Sequence, residues 1–110
     1  MVIILFWDSG MLLKSLEFFL AVAESGSFSL AAQKMYTVQS NITSHVKKLE
    51  EELGVILFNR NNPVTLTNAG QQLHSYAVQM IALHNKAKKI FQEGDIDPNE
   101  TIRLGSMETT

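Results

Sequence analysis

The chain has 110 residues, of which 45% are hydrophobic and 18% charged. This length and composition fit one small globular domain and exclude a disordered or low-complexity chain. With no cysteine in the sequence, disulfides, thiolate metal sites and cysteine nucleophiles are excluded. The net charge of −2 is unevenly distributed: residues 11–92 carry eight Lys/Arg and five Asp/Glu, whereas residues 93–110 carry one Arg and five acids. The predicted folded module is therefore mildly basic and its tail acidic.

The first ten residues are expected to be an extension ahead of the folded module, and Met11 is an equally plausible start. Residues 1–7 are apolar but too short for a membrane span, which needs about 20 residues. They also lack the basic residues and cleavage site of a signal peptide. We therefore expect a cytoplasmic protein with no membrane partner.

Three helices are predicted before Gly54. Apolar residues at helical spacing indicate the first over residues 12–24, closed by Gly26 in the left-handed conformation. Ser27 is expected to cap a short second helix, and Thr37 is a candidate cap for the third, which starts at residue 38 or 39 and ends at residue 53. The third helix has an apolar stripe, spaced by four, three and four, of Ile42, Val46, Leu49 and Leu53.

Residues 55–66 are the one strand-like region and predict a small hairpin, because Asn and Pro residues in its middle favour a turn. Thr67 is expected to cap a long helix that ends near residue 92 and spans roughly 37 Å. Apolar and small residues spaced 4-3-4-3-4 form a heptad seam, which Tyr76, Leu83 and Ile90 widen. The seam consists of Leu73, Ala77, Met80, His84, Ala87 and Phe91. The small domain cannot cover this surface, so a homodimer or higher homo-oligomer is predicted.

The outer face of the third helix is the candidate functional surface. Opposite the apolar stripe it presents short hydrogen-bonding side chains and two cations, which suit the DNA major groove. These residues are Ser40, Asn41, Thr43, Ser44, Lys47 and Lys48, with Gln39 at the N-terminal end. The alternative interpretation is an ordinary solvated face. The acidic run at residues 50–52 favours that alternative, since acids repel phosphate.

Two further positions are candidates for contacts to the DNA backbone. Arg60 is predicted at the tip of the hairpin, beside Asn61 and Asn62. Ser27 and Ser29, at the start of the second helix, could bind a phosphate at the helix N-terminus. The alternatives are a surface turn with one arginine and plain helix capping.

Several ordered motifs resemble the LysR-type transcriptional regulators. Residues 18–32 are similar to the opening of that family, and residues 39–43 and 48–54 to its recognition helix. Residues 57–60 and 66–70 are similar to its wing and the start of its linker helix. The resemblance covers residues 12–91.

The resemblance implies a mainly α fold: a winged helix-turn-helix of three helices and a hairpin wing over residues 11–66, then a dimerisation helix over residues 67–92. It also implies that a dimer binds a partly palindromic operator in double-stranded DNA. Residues 93–110 would be a linker and the first strand of a missing effector-binding domain. A small-molecule effector is thus expected only in a full-length form.

The resemblance places Gln39, Ser40, Thr43 and Ser44 at the family's DNA-facing positions. The sequence departs from the family pattern at two places. Neither Ser44 nor His45 is the arginine usual at one of these positions, and the wing lacks a second arginine. Both departures lower the expected affinity for phosphates.

Other function classes are less well supported. His45, His74 and His84 are scattered without metal-ligand spacing, and no glycine-rich phosphate loop is present, so neither an enzyme nor a metal or cofactor site is expected. Another winged-helix family is disfavoured by the wing and linker motifs. The remaining alternative is a truncated dimerisation module that pairs with full-length regulators and binds DNA weakly.

Overall fold

The computed structural model describes residues 9–92. Residues 1–8 of the predicted ten-residue extension, and the predicted linker and strand over residues 93–110, lie outside this range, whereas residues 9 and 10 belong to the first helix. The elements run in the order α1 (Ser9–Ser25), α2 (Phe28–Lys34), α3 (Gln39–Leu53), β1 (Phe58–Asn59), β2 (Thr65–Leu66) and α4 (Asn68–Gln92). The first helix thus begins at Ser9 rather than at residue 12.

The junction between α1 and α2 forms as the sequence predicts. Gly26 has a φ of 67°, in the left-handed region that glycine adopts without a Cβ clash. The Ser27 Oγ accepts a hydrogen bond from the Leu30 amide at 3.1 Å, which caps α2. A tight turn therefore delivers α2 across α1 and leaves the start of α2 at the surface.

The predicted side-chain cap of α3 is wrong. Val38 occupies the N-cap position and makes no side-chain cap hydrogen bond. The Thr37 Oγ1, one residue earlier, instead accepts a hydrogen bond from the Asn41 Nδ2 at 3.0 Å. A side-chain hydrogen bond thus joins the first turn of α3 to the preceding turn. Thr37 does not cap the first backbone amides of α3.

The core lies where α1, α2 and α3 meet, and α4 and the hairpin cover it. Phe19, Val22, Ile42 and Val46 are fully buried there. Leu53, predicted as the last member of the α3 stripe, is 48% exposed. Leu57 and Phe58 on the returning chain are fully buried and close the core at that end of α3, so Leu53 stays outside.

The hairpin pairs β1 with β2 antiparallel, with Phe58 opposite Leu66 and Asn59 opposite Thr65. The hairpin is attached to neighbouring residues both at its loop end and at its root. The Val64 amide donates to the Gly26 carbonyl at 3.0 Å, which joins the hairpin to the α1–α2 turn. Thr67 donates from its amide to the Leu57 carbonyl at 3.0 Å. Its Oγ1 also accepts from the Gly70 amide at 3.0 Å, so Thr67 caps α4 as predicted.

Candidate nucleic-acid interface

The predicted polar face of α3 is exposed throughout. The buried side of the helix carries Ile42, Val46 and Leu49, and the opposite side carries only hydrogen-bonding and charged residues. The structure therefore brings the predicted α3 site residues together on one convex surface beside the hairpin. They are Gln39, Ser40, Asn41, Thr43, Ser44, Lys47 and Lys48.

Two apolar residues extend this surface at the N-terminal end of α3. Tyr36 is 96% exposed and has a φ of 57°, a conformation rare for a non-glycine residue. Val38 is 64% exposed. Nothing in the sequence indicated either residue at the candidate surface, because tyrosine and valine side chains give no signal for exposure. They place an aromatic ring and two methyl groups next to Gln39, a combination that can contact a thymine methyl group.

The two serines at the start of α2 differ in their environment. The Ser27 hydroxyl is occupied as the N-cap acceptor for Leu30, which confirms the capping interpretation. Ser29 is exposed. A phosphate contact by either residue stays a prediction, and Ser29 has the more accessible hydroxyl.

Arg60 lies in the loop between β1 and β2, directly before the exposed residues 61–63, and its side chain is 41% exposed. A contact from Arg60 to the DNA backbone stays a prediction. The Arg60 guanidinium is engaged by the carboxylate of Glu50 on α3, with 3.1 Å from Nη2 to Oε1 and 3.3 Å from Nη1 to Oε2. Glu50, expected in an exposed acidic run, is 8% exposed. It lies at the inner edge of the α3 apolar stripe, where Arg60, the first residue after β1, supplies the opposite charge.

His45 faces α1 rather than the outer surface of α3. Its Nδ1 lies 2.8 Å from the Oγ of the buried Ser15. The Phe18 ring meets the imidazole edge-on, with 4.9 Å between ring centroids. Burial lowers the pKa of His45, and the positive charges of Lys48 and Lys14 lower it further. The imidazole therefore joins α3 to α1 in its neutral form.

This lowered pKa predicts a pH-dependent stability. As pH falls below about 6.5, the unfolded chain binds a proton at His45 before the folded chain does. The free energy of unfolding should thus decrease as pH falls from the usual histidine pKa through the lower folded value. His45→Gln should flatten this slope in chemical denaturation between about pH 7.5 and 5.5. His84→Gln, at an exposed position on α4, is the matched control, and equal slopes in the two variants would refute the assignment.

The predicted seam of α4 is only partly exposed. Ala77 is fully buried and Leu73 packs against the core of the same domain, so these two are wrong as members of an exposed seam. Met80, His84, Ala87 and Phe91 are exposed.

A second apolar stripe on α4 also has heptad spacing, and its residues lie outside the domain core. Its members recur at intervals of four, three, four and three: Tyr76, Met80, Leu83, Ala87 and Ile90. At 100° per residue, this stripe is rotated by about 60° from the predicted seam. Tyr76 is 63% and Leu83 68% exposed. The unpartnered apolar surface of α4 is therefore centred on Leu83.

Three packed helices followed by a two-stranded hairpin define a winged helix-turn-helix, here continued by a long helix. The model of the bacterial regulatory helix-turn-helix proteins of the lysR family matches residues 13–71. The chain belongs to this lysR family, whose members are transcriptional regulators and not enzymes.

Relatives and a solved structure agree with this assignment. The HTH-type transcriptional regulator YofA of Bacillus velezensis is 44% identical over 95 residues, which cover 86% of this chain and 33% of the relative. The regulator CzcR of Bacillus thuringiensis strain Al Hakam is 36% identical over 103 residues, covering 93% and 34%. The chain thus spans about a third of the length of these relatives.

The crystal structure of a BenM_DBD/benA site 1 DNA complex superposes with a TM-score of 0.70 at 32% identity. The match covers 74% of this chain and 95% of that one. The similarity therefore extends over nearly the whole of a domain whose structure was determined with DNA. Within residues 9–92, no helix combines the length and hydropathy needed to cross a membrane.

Proposed function

We propose that this chain is the DNA-binding part of a transcriptional regulator and inserts α3 into the major groove of double-stranded DNA. The observation that carries the proposal is the exposed row of Ser40, Thr43, Ser44 and Lys47 on the outer face of α3. This face is free of large apolar side chains and stands beside the hairpin, so a duplex can meet both together.

The side chains of this row divide into two chemical roles. Ser40, Thr43 and Ser44 are short, so the helix backbone can approach the bases and the hydroxyls can bond to base edges. The Gln39 amide can bind an adenine through two hydrogen bonds. Lys47 is exposed on the same face and supplies a positive charge for a phosphate. Sequence selectivity would thus come from the first two turns of α3 and affinity from the third.

The hairpin tip is the proposed contact to the flanking backbone. Asn61 and Asn62 are exposed there, and their amide groups can donate to phosphate or sugar oxygens. Two antiparallel strands of two residues each carry the tip, and Arg60 at its base is bonded to Glu50 of α3. The wing contact therefore depends on neutral donors and on how firmly the hairpin is held.

The salt dependence of binding tests this proposal. Each phosphate neutralised contributes about 0.9 to the slope of log affinity against log salt concentration. Lys47→Gln should reduce the slope by about that amount in fluorescence anisotropy with a duplex. Lys86→Gln, at an exposed lysine of α4, is the control and should leave the slope unchanged. Self-association without salt-sensitive DNA binding would instead favour the dimerisation module.

We further infer that two copies pair through α4 along the stripe centred on Leu83. A lone helix rarely exposes a heptad-spaced apolar stripe, and a second α4 with the same stripe is its natural partner. A twofold pair would present two α3 helices to two half-sites of opposite orientation. The preferred operator would accordingly be partly palindromic.

Leu83→Glu is expected to weaken this pairing. In a twofold dimer the substitution removes two buried leucines, each contributing roughly 1.5–3 kcal/mol, so the dissociation constant should rise at least about 100-fold. Analytical ultracentrifugation measures the change. Asn85→Glu adds the same charge to an exposed position on the opposite side of α4, and an equal rise in that control would contradict pairing through Leu83.

A further inference from the structure

We propose that the Glu50–Arg60 pair sets the position of the wing relative to α3, so that Arg60 acts through Glu50 and not as a phosphate contact. This inference rests on the proposed DNA binding and adds a positioning role for two residues outside the exposed row. Glu50 belongs to the helix proposed to read bases, and Arg60 to the hairpin proposed to contact the backbone. The pair therefore links the two parts of the interface directly.

The carboxylate of Glu50 is fully engaged by the hairpin, through Leu57 directly before β1 and Arg60 directly after it. Its Oε2 accepts a hydrogen bond from the Leu57 amide at 2.8 Å and one from the Arg60 Nη1 at 3.3 Å. Its Oε1 accepts from the Arg60 Nη2 at 3.1 Å. The Glu50 side chain is 9% exposed, so leaving this charge unpaired would carry a large desolvation cost.

The guanidinium of Arg60 is held from three directions. Besides the two bonds to Glu50, its Nη1 lies 3.4 Å from the Phe58 carbonyl, to which it donates. Its central carbon lies 5.2 Å from the centroid of the Phe28 ring on α2. Arg60 thus joins the hairpin to both α2 and α3. These contacts need a planar group with several N–H donors. The ammonium group of a lysine is not planar and cannot make them all.

A phosphate contact by Arg60 would compete with this arrangement. The Arg60 side chain is 41% exposed, but the two nitrogens that bond to Glu50 could bind a phosphate only by giving up this nearly buried carboxylate. A positioning role has no such cost, because it requires the guanidinium to keep the contacts to Glu50, Phe58 and Phe28 that it already makes. Since the strands are only two residues long, the orientation of the tip depends on the bonds by which Glu50 holds both ends of β1, at Leu57 and at Arg60.

A double-mutant cycle tests this coupling. Arg60→Gln and Glu50→Gln should each weaken binding to a duplex about tenfold, since residues in one hydrogen-bonded pair are strongly coupled. In the Glu50→Gln background, Arg60→Gln should then cause little further loss. Independent, multiplicative losses would overturn the proposal. Affinities are measured at a temperature at which circular dichroism shows every variant to be folded.

Salt dependence and a conservative variant separate positioning from a phosphate contact. Arg60→Gln should leave the salt slope unchanged, whereas Lys47→Gln should lower it by about 0.9. Arg60→Lys should bind as weakly as Arg60→Gln, because the charge is kept but the planar guanidinium is lost. A reduced slope in Arg60→Gln, together with rescue by Arg60→Lys, would show that Arg60 contacts a phosphate.

A measurement without DNA distinguishes failure of this inference from failure of the proposed function. Hydrogen exchange at the Leu57 amide should be at least about tenfold faster in Arg60→Gln than in the unaltered chain, as a tethered segment opens locally. Exchange at the buried Val46 amide is the internal control and should change less. Unchanged exchange at Leu57 would overturn the positioning role even if DNA binding is confirmed. Faster exchange without any DNA binding would refute the function alone.

Discussion

Replacing Phe58 with alanine is expected to lower the free energy of unfolding by about 3–5 kcal/mol. Phe58 is 1% exposed and is the one hairpin residue whose ring enters the helical core. Its ring centroid lies 5.3 Å from that of Phe19 on α1 and 5.7 Å from that of Phe28 on α2. Truncation would leave a cavity between two helices and detach β1 from the domain, so stability and wing placement should fail together.

Urea denaturation followed by circular dichroism measures this loss. Asn59→Ala, at the neighbouring exposed strand position, is the matched control and should change stability by less than about 0.5 kcal/mol. A loss below about 1 kcal/mol for Phe58→Ala would show that the hairpin does not depend on the core contact.

Gly70→Ala is expected to destabilise the chain by about 1–3 kcal/mol, although the same change usually stabilises a helix. A Cβ at this position would collide with the Leu57 carbonyl oxygen and approach the Leu66 Cδ2 to 2.9 Å. The carbonyl cannot move freely, because it accepts a hydrogen bond from the Thr67 amide at 3.0 Å. Gly70 therefore permits the close approach of α4 to the root of the hairpin.

The sign of this change is the decisive result. Gln71→Ala, one position along the same turn of α4 and exposed, should be neutral or slightly stabilising. Thermal unfolding of the two variants gives the comparison. A gain in stability for Gly70→Ala would mean that α4 and the hairpin root are further apart than the structure shows.

Local patterns in the sequence were sufficient to predict the helices. Apolar spacing located α3 and its outer face, and both Gly26 and Ser27 take the backbone and capping roles expected of them. These features depend on residues three or four positions apart. The family resemblance, carried by ordered motifs, supplied the winged helix-turn-helix topology.

The errors in the sequence interpretation share one physical origin, which is contact between distant segments. Glu50 is one of three consecutive glutamates, and only its pairing with Arg60, ten residues away, distinguishes it from the exposed Glu51. In α4, a heptad repeat cannot show that the domain's own core covers Ala77. Whether a single residue is buried depends on its neighbours in the folded domain. The spacing of apolar residues along one helix does not reveal those neighbours.

The exposure of Tyr36 was missed for a different reason. Tyr36 takes its positive φ in the turn that closes α2, where the Thr37 amide bonds back to the Ala32 carbonyl, and its ring is left exposed. Tyr36 and Val38 thus extend the exposed polar row of α3, although the sequence pattern assigned only the residues of α3 to this surface.

Selection of binding sites from a random duplex library tests the central claim most directly. The chain should enrich a partly palindromic site bound by two copies. Ser40→Ala and Thr43→Ala should each relax selectivity at particular base pairs, by about 1–3 kcal/mol per position. Lys47→Gln should lower the affinity for all duplex sequences by a similar factor. Recovery of no enriched site, with the two alanine variants indistinguishable from the unaltered chain, would contradict the assignment of α3 as the base-reading helix.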